Sequence, residues 1–357
     1  MAHWQRFPTA PAHLVFLWRM AAVLTTAVIT AIALAISGRN PFELAELVGR
    51  SAIGSRFGLE DLALFMTPLI LTGSAVTITR RIGLWNIGAE GQFYLGAAGA
   101  AAVGLYVPGP SLLVVPLMAI AAMLCGMAWI LIPTLARAYA AVSEIITTLL
   151  LNFVAALLVY WLVTGPWRDR VTGALVSTQH IHAAIPEMWG VVHYGFPAAL
   201  LVACGVSVLL GRTSWGYEVR ISGANPGAAE YAGMPMRRRI ISVMLLSGAL
   251  AALAGMFEVA GTVHRLQGGM ANNFGYLGIV VAVLARGSCL AVIPAALLMA
   301  FILDAGIVMQ TQQLAATTVL AITGLVLMLI AAGDELAHYR PVRTTPPAGT
   351  IERNVSA

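Results

Sequence analysis

Apolar residues fall in runs long enough to cross a membrane, near residues 14–36, 61–79, 84–107, 111–133, 143–164, 196–211, 240–263, 290–309 and 314–332. A helix needs about 20 residues to cross the hydrocarbon layer, so the pattern predicts an all-α, polytopic membrane bundle occupying 14–332. A shorter apolar piece, 274–287, either crosses as a tenth segment or folds back as a re-entrant one. Two of the polar intervals are long, 165–195 and 212–239. Outside the bundle lie a short N-terminal segment, 1–13, and a tail, 333–357, whose prolines and few apolar residues lead us to expect disorder.

The pattern is interrupted most sharply in LWNIGAEGQFYLG, 84–96, where Asn86, Glu90 and Gln92 stand within an apolar run. A carboxyl group at bilayer depth costs roughly 3 kcal/mol on insertion scales, so it needs a partner or a water-filled path. Gly88, Gly91 and Gly96 each weaken a helix by about 1 kcal/mol relative to Ala, so a discontinuous helix is expected here. Glu90 then has two readings: a residue beside a solute path, or a buried cap of the broken helix acting through Asn86 or Gln92. Phe93, Asn152 and Glu258 join them as candidates for the path or the broken helix. Glu144 and Asn152, eight residues apart, share a helix face, and Glu144 is expected to pair with Arg137. Small residues recur in GAAGAAAVG, 96–104, and SGALAALAG, 247–255, which reads as close helix packing.

Composition agrees with a membrane protein: 59% of residues are hydrophobic and only 10% charged, against about 25% charged in soluble domains. All 20 basic residues are arginines, which removes a Walker A lysine and Schiff-base chemistry, so ATP and Mg would have to be bound by another subunit. The arginines sit in short loops and form no basic face, so the net charge of +5 sets orientation in the bilayer and does not point to nucleic acid. With ten crossings and a cytoplasmic start, fourteen arginines, among them Arg80, Arg81, Arg220 and Arg286, fall inside and six outside, and both termini are cytoplasmic. The run 14–36 ends in Ala33-Leu34-Ala35, which superficially resembles a signal-peptidase site, but its length and Arg19 favour an uncleaved anchor. Cys125, Cys204 and Cys289 read as small core residues. With no HExxH, GxSxG or clustered Cys/His pattern, neither a catalytic nor a metal site is expected.

The inside segment GYEVRISGANPGAAEYAGMPMRRRI, 216–240, combines a turn at Ser222–Pro226 with a short helix, Gly227–Ala232, stopped by Gly233 and Pro235. A short capped helix between two spans, carrying Ala228, Ala229, Tyr231 and Ala232, suits docking to a soluble partner.

Four stretches in this order, LWNIGAEGQFYLGA, SEIITTLLLNF (143–153), GANPGAAEYAGM (223–234) and SGALAALAG followed by FEVAG (257–261), resemble the permease subunits of bacterial ABC importers for nucleosides and simple sugars, a branched-chain-amino-acid-permease-like family. The likeness covers about 60–332. It implies a multi-pass permease of the bacterial cytoplasmic (inner) membrane with about ten spans. It also implies a second permease subunit, different or identical, two cytoplasmic ATP-binding-cassette ATPases, and an external solute-binding protein that delivers a small-molecule solute. The coupling helix of that family maps onto Asn225–Gly233, and the ATPase-coupling residues onto Arg220, Gly223, Asn225, Pro226, Ala228, Ala229, Tyr231, Ala232 and Gly233. This chain departs from the family pattern at Ser143, Ala252 and Leu277, where Asn, Gly and an acidic residue are usual. A nucleoside or related solute is the expected cargo, with a simple sugar next. The rival is a proton- or sodium-coupled carrier using Glu90, Glu258 or Asp304.

Overall fold

The computed structural model describes residues 2–7, 11–171, 173 and 176–343. The chain divides into two units, Met1–Glu46 with Met309–Ala357, and Leu47–Val308.

In the first unit, α1 (Ala12–Ile36) packs against α13 (Ala316–Leu336), and strand β1 (Ala2–Arg6) pairs antiparallel with β4 (Tyr339–Arg343). Arg19 grips Asp334 through two 2.7 Å contacts, from Nε to Oδ1 and from Nη2 to Oδ2. The first part of the tail therefore differs from expectation: residues 333–343 are a helix end and a strand, because the β1 ladder and the Asp334 pair supply partners that the tail lacks alone. The remainder of the tail, 344–357, lies outside the described residues. Both described ends lie on one side of the α1–α13 pair.

The second unit is built on α3 (Arg56–Arg81), α4 (Ala89–Tyr106), α5 (Ser111–Ala140) and α10 (Met236–Phe257), with α6 (Glu144–Thr164), α7 (Gly195–Arg212) and α11 (Phe274–Leu284) packed on them. α3 starts before its apolar run because Ser55 Oγ accepts from Gly58 N at 3.0 Å and Arg56 pairs with Glu60 one turn on, at 2.7 Å. α5 outlasts its predicted run by passing through Pro133, and its last turn carries Arg137. α10 passes into a π-helical turn, Glu258–Val263, which ends at His264 in the left-handed region. Between α7 and α10 lie α8 (Ser214–Ala224) and α9 (Pro226–Tyr231), and α12 (Val292–Thr311) follows α11.

Seven described helices are long and apolar enough to cross a membrane: α1, α3, α5, α6, α7, α10 with its π-helical turn, and α12. Of the three expected segments outside this count, α4, α11 and α13, the first two fall short for identifiable reasons. α4 has a polar first turn and begins only at Ala89. α11 is 11 residues long, or about 16 Å at 1.5 Å per residue, half of the roughly 30 Å hydrocarbon layer.

α3 and α10 are buried along most of their length, whereas α5 and α6 turn Leu113, Leu117, Leu124, Leu150, Phe153 and Leu157 outward as an exposed apolar surface. The glycine stripes do what close packing requires. A Cβ on Gly96 would lie 2.2 Å from the Ala252 carbonyl oxygen, and one on Gly255 would lie 2.1 Å from that of Phe93, so α4 and α10 touch backbone to backbone. Ala252, where the family usually has Gly, fits because Gly126 on α5 leaves room for its methyl group. Gly91 and Gly96 therefore lie inside an unbroken α4; the interruption expected among them falls ahead of it, at 82–88. Cys289 is buried, Cys125 half-buried and Cys204 exposed, so only Cys289 is a fully buried core residue.

Candidate functional site

The polar residues of 84–96 converge on the start of α4. Asn86 is fully buried; its Nδ2 donates to Gln92 Oε1 and to Ser247 Oγ, both at 2.8 Å, and its Oδ1 accepts from Gly88 N and Gln92 Nε2. Ser247 Oγ in turn donates to the Ala75 carbonyl at 2.7 Å, joining α10 to α3. The N-cap position of α4, Gly88, has no side chain to accept from the first free amides. Asn152 of α6 supplies what is missing: its Oδ1 accepts from Gly91 N at 2.9 Å, while its Nδ2 donates to Ile87 O and Tyr276 Oη.

Glu90 acts on a different helix from the one it belongs to. Its Oε2 accepts from Gly275 N at 2.7 Å, and the amides of Asn273 and Tyr276 also face it, so the carboxyl group caps α11. A Cβ on Gly275 would lie 2.2 Å from Glu90 N, so the approach needs glycine. This corrects the expected cap of its own helix through Asn86 or Gln92, which bond to each other instead. Phe93 is fully buried against Phe274, with ring centroids 6.1 Å apart, and so belongs to the core of the same junction. Asn86, Glu90, Gln92 and Asn152 thus form one hub that fixes the starts of two helices, with each amide or carboxyl group bonded to backbone or to another member. In a bilayer, where water cannot replace a lost partner, such a hub is the condition for having a helix start at depth at all.

Glu258 is separate from the hub, in the π-helical turn that extends α10, with Thr262 as its hydrogen-bond partner. Glu144 pairs with Arg137 at 3.3 Å, as expected.

The segment between α7 and α10 forms the second cluster. Thr213 Oγ1 accepts from Gly216 N to open α8, and α8 is tied to α10 by Trp215 Nε1 to Ser242 Oγ at 3.1 Å and by the Glu218–Arg239 pair. Asn225 Oδ1 accepts from Ala228 N at 3.0 Å, Pro226 occupies the first turn of α9, and Gly233, at φ +76°, ends it. The helix is thus Pro226–Tyr231, one residue earlier at each end than its predicted range. Tyr231 is 98% exposed, and Ala228, Ala232 and Gly233 are exposed with it. Ala229 is fully buried, which removes it from the expected docking face, since a six-residue helix lying on a bundle must bury one side. Gly223 is half-exposed and packs against the end of α3, where a Cβ would lie 2.0 Å from the Arg81 carbonyl oxygen. Arg220 is exposed near the end of α3 and lines a cavity with Arg80 and Arg81.

A family profile described as "Branched-chain amino acid transport system / permease component" matches residues 58–331, which contain both clusters. The chain belongs to this permease family. It is 33% identical over 346 residues to the glucose ABC transporter permease protein TsgB13 of Haloferax volcanii, covering 93% of this chain and 91% of that protein. It is 34% identical over 240 residues to the guanosine ABC transporter permease protein NupP of Bacillus subtilis, covering 66% and 69%. With the nucleoside ABC transporter permease protein NupB of Lactococcus lactis it shares 28% identity over 307 residues, covering 82% and 84%.

On the face of this permease away from the Arg80–Arg81 end of α3, residues 176–185 pack onto the π-helical turn after α10 and the chain that follows it: Thr178 N, Ile181 N and Ile185 N donate to the carbonyls of Leu266, His264 and Ala260. A short hairpin, β2 (Glu187–Trp189) with β3 (Val192–His193), completes the segment. The His193 ring is fully buried against Phe257, and its Nδ1 accepts from Gly195 N at 3.0 Å. Burial, and secondarily the nearby His264, depress its pKa to about 4. Sequence reasoning singled out neither His193 nor Gly275, Tyr276 and Ser247 as members of these sites. Tyr276 and Ser247 are ordinary members of apolar runs, and Gly275 acts through a contact 185 residues distant.

Proposed function

We propose that this permease forms, with a second permease subunit, the membrane path of an importer for a neutral, polyhydroxylated solute, a nucleoside first and a simple sugar next. Transport is driven by a separate cytoplasmic ATPase that binds ATP and Mg. The observation that carries the reading is α9: a short helix set by Asn225 and Pro226, presenting Tyr231 almost fully to solvent between two membrane helices. A self-sufficient carrier has no use for such an element, whereas a permease without a nucleotide-binding motif requires one. The names of the relatives support the cargo class, since glucose and guanosine share neutral, hydroxyl-rich sugar rings.

In this reading α9 lies on the cytoplasmic face of the inner membrane with both chain ends, and an external binding protein delivers solute to the opposite face, where the 165–195 segment lies. In this reading ATP supplies the energy, and Glu90 serves as the cap of α11 and not as a coupling acid. The test is reconstitution with the cognate ATPase and binding protein. Uptake of labelled nucleoside or hexose is expected only with ATP and Mg; uptake driven by a proton or sodium gradient alone overturns the proposal.

A further inference from the structure

The end of α3, the end of α8 and the turn after α11 line an open cavity of about 370 Å³ with four arginines in its lining, Arg80, Arg81, Arg220 and Arg286, separated by small residues and with no acidic residue among them. The volume falls within the roughly 300–1,000 Å³ of small-ligand pockets. Arg80 is held in place, its Nη1 donating to the Ala282 carbonyl at 2.8 Å and its guanidinium lying 4.8 Å over the Trp85 ring. Arg81 has a buried Nε without a hydrogen-bond partner. Among the described residues no carboxylate pairs with Arg80, Arg81 or Arg220. Arg286 is carried on a turn whose backbone is left-handed at both Arg286 (φ 49°) and Gly287 (φ 78°).

Three guanidinium groups without a carboxylate partner, Arg80, Arg81 and Arg220, line this one cavity, and such a cluster is complementary to an anion rich in acceptor oxygens. A carboxylate offers two oxygens. A phosphate group offers more, arranged in three dimensions, and so can take guanidinium forks arriving from three separate elements. Trp85 stacked on Arg80 at the end of a membrane helix places the site at the depth of lipid headgroups. We propose that this cavity binds a phosphate-bearing anion, supplied by an anionic lipid headgroup or by phosphate in solution.

The test uses the purified full-length chain in nanodiscs. Native mass spectrometry should show at least about tenfold preferential retention of phosphatidylglycerol over phosphatidylcholine, with the Arg81→Gln/Arg220→Gln variant retaining both about equally. An Arg168→Gln/Arg170→Gln variant should behave as the parent. Should the Gln variant fail to fold, Arg81→Lys/Arg220→Lys keeps the charges and loses the forks; it is expected to retain phosphatidylglycerol at an intermediate level that declines steeply with salt. Millimolar inorganic phosphate separates the sources: retention indifferent to it identifies the lipid, whereas calorimetric phosphate binding in phosphatidylcholine nanodiscs, lost in the Gln variant, identifies the soluble anion. Equal retention of the two lipids by the parent together with no phosphate binding overturns the proposal. So does a crosslink placing an acidic partner side chain in the cavity of the assembled complex with no anionic lipid retained. None of these readouts depends on uptake, so failure here leaves the transport reading standing, and failure of uptake leaves this site standing.

Discussion

Substituting Glu90 separates its role as a helix cap from a role in ion coupling. In Glu90→Ala the Gly275 amide loses a 2.7 Å acceptor, and the neighbouring amides of Asn273 and Tyr276 lose the group they face. Each buried donor left without a partner costs about 1–3 kcal/mol. With partial relaxation of α11, a total of about 2–5 kcal/mol follows, or some 30-fold in the folding equilibrium at the lower end. Glu90→Gln keeps one oxygen at nearly the same place but replaces a charge-capable acceptor by a neutral one, so about 1–2 kcal/mol is lost. Unfolding can be followed by a thiol-reactive fluorophore, because Cys289 is buried; a Cys204→Ser background removes the exposed thiol. Both variants would be scored for stability and for ATP-driven uptake. The expected result is a Gln loss less than half of the Ala loss, with uptake by the Gln protein tracking the amount folded. The capping argument is refuted if Gln destabilises as much as Ala, or if Gln leaves stability intact and abolishes uptake.

Ala228→Arg and Tyr231→Asp, both on the exposed side of α9, should abolish ATP-dependent uptake and ATPase co-purification while changing stability by about 0.5 kcal/mol or less; Ala229→Arg, at a fully buried position, should instead lower the folded yield on size-exclusion chromatography. Gly255→Val forces a side chain against the Phe93 carbonyl and should destabilise by about 1–3 kcal/mol or more in the same thiol assay, whereas Gly205→Ala, in open space, should not. His193 has a folded pKa of about 4 against an ordinary 6.5, so between these values the unfolded chain binds more protons. Stability is therefore full above pH 6.5 and declines as the pH falls towards 4, by up to about 3 kcal/mol. His193→Asn should flatten that part of the thermal-stability profile, and an unchanged slope would refute the assignment.

Local patterns carried a large part of the architecture. Apolar run length located the membrane helices, Asn225-Pro226 with Gly233 marked α9 to within a residue, and the place of Glu144 at the cytoplasmic end of its span, near Arg137, pointed to their pair. These features depend on residues near one another in the chain, where periodicity, capping chemistry and proline geometry act directly. Helix ends were less legible where charged residues prolonged a helix beyond its apolar run, as at Arg56–Glu60.

The sequence by itself determined that this is a lysine-free, polytopic helical permease with polar groups at membrane depth and a capped helix between two spans. Only the tertiary structure decided what those polar groups do. Asn152 completes the start of α4 from another helix, and Glu90 caps α11 instead of its own helix. Ala229 turns inward, and arginines from three separate elements line one open cavity. The physical reason is that burial in lipid obliges each polar group to find a partner but does not say where along the chain that partner lies. A helix packed on all sides carries little amphipathic signal to show which neighbour it faces.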